Sequence, residues 1–139
     1  MDIRFEKIIP TEEQIDELYL FIKNRKHSVS HKITPLFSEH SDFVKNHPYI
    51  SWYIVYEGAK PICSCYVQND NSIGINFTEG YEEFFIQIID FIKKTHKPQL
   101  PIKSIRGEGF FVNVASKNTK LIQFLNSTNF QEIQRSFEV

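Results

Sequence analysis

One segment of the chain combines positive charge with two imidazoles. The ten residues from Lys23 to Lys32 include four cations and two histidines, and they follow neither a helical nor a strand period. Because imidazole titrates near neutral pH, a histidine here could accept a proton while its cationic neighbours hold an anionic or phosphorylated substrate. Alternatively, the cations lie in solvent and complement the C-terminal end of a helix. The candidates are His27 and His31 as catalytic bases, with Arg25, Lys26 and Ser28 as substrate contacts.

Other acid–base and metal-binding patterns are weaker. Glu57 and Glu79 are alternative bases, although carboxylates at turns are usually just solvated. The remaining histidines, His40, His47 and His96, have no spacing to cysteines or carboxylates that would indicate a metal site, so no metal is expected. The sequence also lacks a catalytic triad, a P-loop and a dinucleotide-binding fingerprint.

Length and composition predict one globular domain, residues 1–139. With 41% hydrophobic residues, 13 of them Phe, the chain can bury a core without staples. A formal net charge of −1 gives no field to attract a polyanion, which disfavours nucleic acid as a partner. Cys63 and Cys65 lie two apart on an expected strand, so we expect both to stay reduced. The charged N-terminus and the lack of a run of about 18 apolar residues predict a soluble cytoplasmic protein without a membrane segment.

The centre of the chain predicts three antiparallel strands and then a helix. Residues 52–57, 61–68 and 72–78 are rich in aromatic and β-branched residues. A glycine in the first intervening turn, and Asn and Asp residues in the second, tolerate positive φ. From Gly80 the apolar period lengthens to about 3.6, which predicts a helix that ends near residues 93–98.

The N-terminal part predicts one strand and two helices. Residues 3–9 alternate apolar with charged side chains, as an outer strand does. Thr11 and Gln14 match a capping box, which predicts a helix that ends near residue 24. A second, short helix is expected over residues 38–46.

The C-terminal part predicts the last elements of the sheet. Residues 102–105 and 110–114 form either a small hairpin or one strand interrupted by a bulge. Ser116 is expected to cap a helix over residues 117–127. Residues 131–139 alternate, and we expect them to close the sheet as its last strand.

The end of the chain resembles a known family. The run VNVASKN at residues 112–118, followed by Leu121, Phe124 and Asn129-Phe130, is similar to the strand, Asn, amphipathic helix and Gly-Phe pattern of GNAT acyltransferases. The order of the expected elements matches the same family over nearly the whole chain. The resemblance implies an α/β (α+β) fold with a mixed, mainly antiparallel sheet of six or seven strands, flanked by about four helices. It also implies that the fourth strand, residues 73–78, pairs through its backbone with the pantetheine arm of acyl-CoA.

The sequence departs from the family pattern at two places, the loop at residues 78–83 and Leu125 in the last helix. GNAT enzymes usually hold the CoA diphosphate on a glycine-rich loop that opens a helix, whereas residues 78–83 contain one glycine and three carboxylates. Residues 106–109 contain the missing glycines, but strand-like residues follow them, so we interpret them as a turn in preference to a displaced phosphate loop. Leu125 stands seven residues after Asn118, where many members have a Tyr as general acid.

The resemblance implies direct transfer of an acyl group, most simply acetyl from acetyl-CoA, to an amine. A small amino compound, a nucleotide-linked amino sugar or a protein amine would fit as acceptor. In this interpretation His27 or His31 deprotonates the amine, and solvent protonates the thiolate. The alternative is a GNAT-fold protein that has lost the reaction and serves as a binding or interaction module.

The cofactor-binding residues follow from the same resemblance. Asn76 is either a ligand contact or an ordinary polar residue at a strand end. Asn118 either bonds the pantetheine or satisfies backbone groups at the start of the last helix. The full set of candidate acetyl-CoA contacts is Ile75, Asn76, Phe77, Thr78, Asn113 and Asn118.

Overall fold

The computed structural model describes residues 2–24, 33–78 and 80–139. In these ranges five strands form one sheet in the order β1-β2-β3-β4-β5, and four helices accompany it. Neighbouring strands are antiparallel except β4 and β5, which are parallel. The elements are β1 Ile3–Lys7, α1 Glu12–Asn24, α2 Phe37–Lys45, β2 Ser51–Glu57, β3 Lys60–Val67, β4 Ser72–Phe77, α3 Phe85–Thr95, β5 Phe111–Val112 and α4 Thr119–Asn126.

Local sequence signals account for the turns of the meander and for the start of α1. Gly58 has a φ of +63° between β2 and β3, and Asn71 has a φ of +73° before β4. The Thr11 hydroxyl accepts the Gln14 N–H at 3.2 Å, and the Gln14 carboxamide oxygen accepts the Thr11 N–H at 3.5 Å and the Ile9 N–H at 2.8 Å. The predicted capping interaction is therefore present, and it ties α1 to the end of β1.

The strands bury side chains on both faces of the sheet. We call the side covered by α3 and α4 the α3 face, and the side covered by α1 and α2 the α1 face. Cys63 and Cys65 are free and buried on the α3 face, which confirms that they are reduced core residues. The α3 face also buries Val55, Ile88, Ile92 and Leu121, whereas the α1 face buries Leu18, Val44, Trp52 and Ile54.

The predicted strand count of six or seven is wrong, because the described sheet has five strands. Residues 131–139 form no strand and are exposed throughout. Alternation gives a segment two different faces, but a strand also needs a partner edge, and β5 offers an edge of only two residues. The mixed α+β class and the four helices are as expected. None of the described helices combines the length and apolar character needed to span a membrane.

Two other boundaries differ from expectation in the same part of the chain. Residues 102–105 form a turn closed by a bridge between Ile102 and Arg106, so they are neither a hairpin strand nor part of β5. Asn118, not Ser116, caps α4. Its side chain reaches the N–H three residues later, which is the usual geometry of an N-cap.

Candidate functional site

Strands β4 and β5 separate after two residue pairs. Ser72 lies opposite Phe111 and Ile73 opposite Val112, and no further pair joins these strands in the described ranges. Strands β3 and β4, in contrast, remain paired from Ile73 through to Phe77. The sheet therefore opens between the C-terminal half of β4 and the residues that follow β5.

The main-chain groups of Ile75 and Phe77 point into this opening. The Thr78 N–H donates to the Ile62 carbonyl oxygen at 2.9 Å, so the even-numbered residues of β4 bond to β3. Because successive residues of a strand direct their main-chain groups to opposite edges, Ile75 and Phe77 present theirs to the other side. An extended ligand could pair with that edge as an added strand.

A cavity of about 440 Å³ lies beside the opening on the α1 face. Ser64, Tyr66, Gly74 and Asn76 border it from the sheet, and α1, α2 and the segment after β5 supply its other sides. A small-molecule site typically has about 300–1,000 Å³, so the cavity is large enough for one small ligand.

An aromatic wall, formed by Phe43, Tyr49, Trp52 and Tyr66, lines one side of this cavity. The Tyr49 and Tyr66 rings stack with centroids 4.0 Å apart, and Tyr49 meets Trp52 edge-on at 5.0 Å. A Cβ at Gly74 would overlap the Tyr66 ring, so only glycine lets that ring lie across β4. Burial, together with the neighbouring Tyr66, raises the pKa of Tyr49, which therefore keeps its proton.

Two buried polar atoms at the cavity have no hydrogen-bond partner within the described ranges. They are Trp52 Nε1 and Ser72 Oγ, on residues that are 5% and 2% exposed and that both border the cavity. A buried polar group without a partner costs about 1–3 kcal/mol. A ligand that offered an acceptor to the indole N–H would recover part of that cost.

His40 and Glu39 bring acid–base groups to the same cavity. His40 is 2% exposed, and its Nε2 lies 2.9 Å from the Ile15 carbonyl oxygen. Because a carbonyl can only accept, Nε2 carries the proton in this contact. Burial lowers the pKa of His40 despite the opposing effects of the Ile15 carbonyl and Asp16, so the imidazole is neutral at pH 7. The Glu39 carboxylate is exposed and accepts the Leu36 N–H at 3.1 Å.

Comparison with known proteins identifies the architecture. A scan against protein-family models and a search of curated proteins find no match. Solved structures match nearly the full chain. An integron cassette protein from the mobile metagenome of V. cholerae has a TM-score of 0.66 at 10% identity, covering 100% of this chain and 93% of that one. AAC(6')-Iy, in complex with the bisubstrate analogue CoA-S-monomethyl-acetylneamine, has a TM-score of 0.62 at 6% identity, covering 100% and 97%.

A predicted acetyltransferase with acetyl-CoA, from Clostridium acetobutylicum, has a TM-score of 0.50 at 11% identity, covering 99% of this chain and 96% of that one. Likeness at such identities concerns the fold alone. The chain has a GNAT-like fold. The resemblance inferred from the sequence is confirmed at that level.

The loop between β4 and α3 is where the sequence was expected to depart from the GNAT pattern. Gly80 has a φ of +87°, and a 3₁₀ turn, Glu82–Phe84, precedes α3. Glu82 and Glu83 therefore lie before α3 and not within its first turn. Glu82 pairs with Lys120 of α4 at 3.4 Å, which offsets part of the negative charge at this loop.

The turn at residues 106–109 is held by hydrogen bonds to main-chain carbonyls of the protein itself. Arg106 Nε donates to the Leu100 carbonyl at 2.8 Å, and its Nη1 donates to the Asn69 carbonyl at 3.1 Å. The Asn71 side-chain amide donates to the Gly107 carbonyl at 3.3 Å. These contacts support a structural turn. The first two also engage the Arg106 guanidinium, which a bound phosphate would need.

The asparagines expected at the cofactor site border the cavity, but they are not equally free to bind. Asn118 Oδ1 accepts the Leu121 N–H at 3.3 Å as the cap of α4, which leaves its amide NH₂ unused by the cap. Asn113 and Asn76 border the opening from its two sides.

Thr78, another expected acetyl-CoA contact, has a partner within the protein. Its hydroxyl donates to the Ile62 carbonyl at 2.9 Å, so Thr78 is bonded to β3.

The predicted catalytic and substrate residues lie outside the described residues. They are His27, His31, Arg25, Lys26 and Ser28, and the alternative base Glu79 is in the same position. These assignments stay predictions. The described residues Ile22 and Ile33, which precede and follow that segment, border the cavity.

Reasoning from the sequence did not identify the aromatic wall. The sequence did contain a signal. A glycine in the interior of a strand, here Gly74, indicates close approach by another group, and the period of two puts it on the same face as Ser72 and Asn76. His40 was considered only as a metal ligand, and no such period marks it.

Proposed function

We propose that the chain is an acyl-CoA-dependent N-acyltransferase that transfers an acetyl or similar acyl group directly to an amine. The observation that carries this proposal is the opening between β4 and β5, where the main-chain groups of Ile75 and Phe77 have no strand partner among the described residues. A pantetheine arm has amide groups that can pair with such an edge. The likeness to AAC(6')-Iy, which was solved with a CoA-containing analogue, supports the same ligand.

In the proposed reaction the amine nitrogen attacks the thioester carbonyl carbon beside Ile75 and Phe77. The C–N bond forms as the C–S bond breaks, a base takes the proton from the amine, and solvent protonates the departing thiolate. His27 and His31 are the proposed bases, and Arg25, Lys26 and Ser28 the proposed acceptor contacts. Asn118 offers its amide NH₂ to the pantetheine while its oxygen caps α4.

Titration with acetyl-CoA and desulfo-CoA tests the proposal, with heat of binding and thermal stability as readouts. A ligand at 100 times its Kd adds about 2.7 kcal/mol to the free energy of unfolding. We expect both compounds to bind. Absence of any heat or stabilisation at millimolar CoA would overturn the proposal, and binding without turnover of any amine would favour the inactive binding module.

A pair of variants at one position tests the main-chain pairing itself. Ile75→Pro removes the N–H that faces the opening without removing a bond to β3, and Ile75→Ala keeps that N–H while shortening the side chain. Loss of one hydrogen bond is worth about 1 kcal/mol, so the Kd of acetyl-CoA should rise about fivefold in the proline variant relative to the alanine variant. Equal Kd values in the two variants would show that the edge of β4 does not hold the arm.

A further inference from the structure

The cavity beside the opening extends beyond the place where the end of a thioester arm would lie. It reaches from Asn76 and Asn113 at the opening to the aromatic wall beneath α2. If acetyl-CoA enters along β4, the wall lies beyond the acyl group. The acceptor would then occupy this part of the cavity.

The charge of the cavity limits what that acceptor can be. Among the described residues that border it, Glu39 is the only one with a formal charge at neutral pH. A single exposed carboxylate can accompany one ammonium group, but it cannot satisfy the several ammonium groups of a polyamine or an aminoglycoside. No described residue at the cavity is cationic, so an anionic sugar nucleotide would depend entirely on the proposed contacts Arg25 and Lys26.

The aromatic wall suits a flat apolar body, and the unpartnered atoms beside it suit a polar substituent on that body. Aromatic groups pack on such walls by stacked and edge-on contacts, which add about 0.5–1.5 kcal/mol to the effect of burial. Trp52 Nε1 and Ser72 Oγ, both buried without a partner in the described ranges, could bond a polar substituent on that body.

We propose that the acceptor is a small monoamine with an aromatic body, seated against the aromatic wall with its amine directed toward the opening at Asn76. This inference rests on the proposed acyl transfer. It narrows the acceptor from any amine to an arylalkyl monoamine and assigns Trp52, Tyr66 and Gly74 as determinants of specificity.

The first experiment compares 2-phenylethylamine with ethanolamine, which has the same aminoethyl group but no ring, and with kanamycin. Release of free thiol from acetyl-CoA gives kcat/KM for each amine. We expect kcat/KM for phenylethylamine to exceed that for ethanolamine at least about tenfold, because the ring buries apolar area against the wall. A higher kcat/KM for kanamycin or ethanolamine, or no turnover of phenylethylamine, would overturn the inference.

Trp52 supplies a readout that does not depend on turnover. It is the only tryptophan in the chain, so intrinsic fluorescence excited selectively at this residue reports on the wall. Phenylethylamine should change the emission with a saturable dependence, and ethanolamine should not. An unchanged emission at millimolar phenylethylamine would also overturn the inference.

Variants test whether the wall selects the acceptor. Gly74→Ala places a methyl group in the space of the Tyr66 ring, so the KM for phenylethylamine should rise about tenfold or more while the Kd of acetyl-CoA stays unchanged. Gly107→Ala is the matched control, because a Cβ there meets no atom within 4 Å. Trp52→Phe keeps a ring but removes the indole N–H. It provides the same test of the KM for phenylethylamine if Gly74→Ala does not fold. An unchanged KM in every one of these two variants that folds would overturn the assignment.

The two proposals fail in different ways. If acetyl-CoA does not bind, the acyltransferase proposal fails, and the acceptor inference fails with it. If acetyl-CoA binds and another class of amine is acetylated in preference, the acyltransferase proposal stands and only the inference about the aromatic wall is overturned.

Discussion

The two faces of the sheet use the same strands for different purposes. On the α3 face, Cys63 and Cys65 of β3 are fully buried, and α3 packs Ile88 and Ile92 against them without exposed area. On the α1 face, the intervening residue of β3, Ser64, and the next one, Tyr66, border a cavity. Alternation along one strand thus places a solid core behind the candidate site. The site therefore depends on residue size: Ser64 and Ser72 leave space that the helices do not fill, and Gly74 makes room for the Tyr66 ring.

The largest effect is expected from a cavity made on the packed face. Ile88→Ala removes a side chain that is 0% exposed, and such substitutions cost about 2–5 kcal/mol. Phe43→Ala on the α1 face removes more atoms from a residue that is 41% exposed and borders an existing cavity, so its cost should be smaller. Urea unfolding of both variants measures the difference.

These variants should also differ in binding. Folded Ile88→Ala should retain its affinity for phenylethylamine, whereas Phe43→Ala should lose part of it, since Phe43 belongs to the aromatic wall. If Phe43→Ala were the more destabilising change, the α1 face would be the principal core, and the contrast between the faces would be wrong.

The elements that were predictable from the sequence are those set by local chemistry. The Thr11–Gln14 cap, the turn at Gly58 and the α3 stripe each depend on residues close together in the chain, and each is found as expected. The free cysteines were also predictable, because residues two apart on one strand cannot easily bridge.

The parts that were not predictable depend on distant partners. Residues 131–139 alternate as a strand does, yet whether they pair is decided by the short edge of β5. Similarly, the aromatic wall arises only where β2, β3 and the segment before β2 bring Trp52, Tyr66 and Tyr49 together. Gly74 marked the place, but its sequence neighbours did not show what lay across it.

Asn118 lies at the junction of the two faces, because it caps α4 of the α3 face and borders the cavity. Asn118→Ala should cost about 1 kcal/mol, the usual value for a lost N-cap. Asn118→Asp retains an acceptor for the Leu121 N–H and should leave stability nearly unchanged, while it removes the amide NH₂ offered to the pantetheine. Thermal unfolding and acetyl-CoA titration of both variants separate the two roles. If Asn118→Asp binds acetyl-CoA as the parent chain does, Asn118 is a cap only.

The α1 face should also be the more sensitive to acid. Burial lowers the pKa of His40 below the ordinary 6.5, so the unfolded chain binds a proton at His40 more readily than the folded chain. His40 therefore does not lower the free energy of unfolding at a pH well above 6.5. As the pH falls from about 6.5 through the lower folded pKa, the free energy of unfolding declines. His47 adds to the same trend on the α1 face, because burial also lowers its pKa. His96, at the end of α3 against Tyr53, adds a decline of the same sign on the α3 face.

A substitution isolates the part of this decline that belongs to His40. His40→Gln keeps a donor for the Ile15 carbonyl and does not titrate, so its free energy of unfolding should fall less between pH 7.5 and 5. Denaturant unfolding at several pH values measures the two slopes. Identical slopes would mean that His40 is solvated enough to protonate in the folded chain, which would contradict its burial on the α1 face.

The smallest effect is expected from the segment that covers neither face. Residues 131–139 are exposed throughout, and the Arg135–Glu132 ion pair at 3.2 Å lies within the segment itself. Phe130, in contrast, contacts the Phe85 ring at 5.7 Å, so the deletion should begin after it. Removal of 131–139 should change the free energy of unfolding by less than about 0.5 kcal/mol, as expected for surface changes. A loss of 2 kcal/mol or more on deletion, measured by urea unfolding, would show that the alternating segment pairs with an edge in solution. In that case β5 would gain a neighbour, and the α3 face would extend beyond the five strands of the sheet.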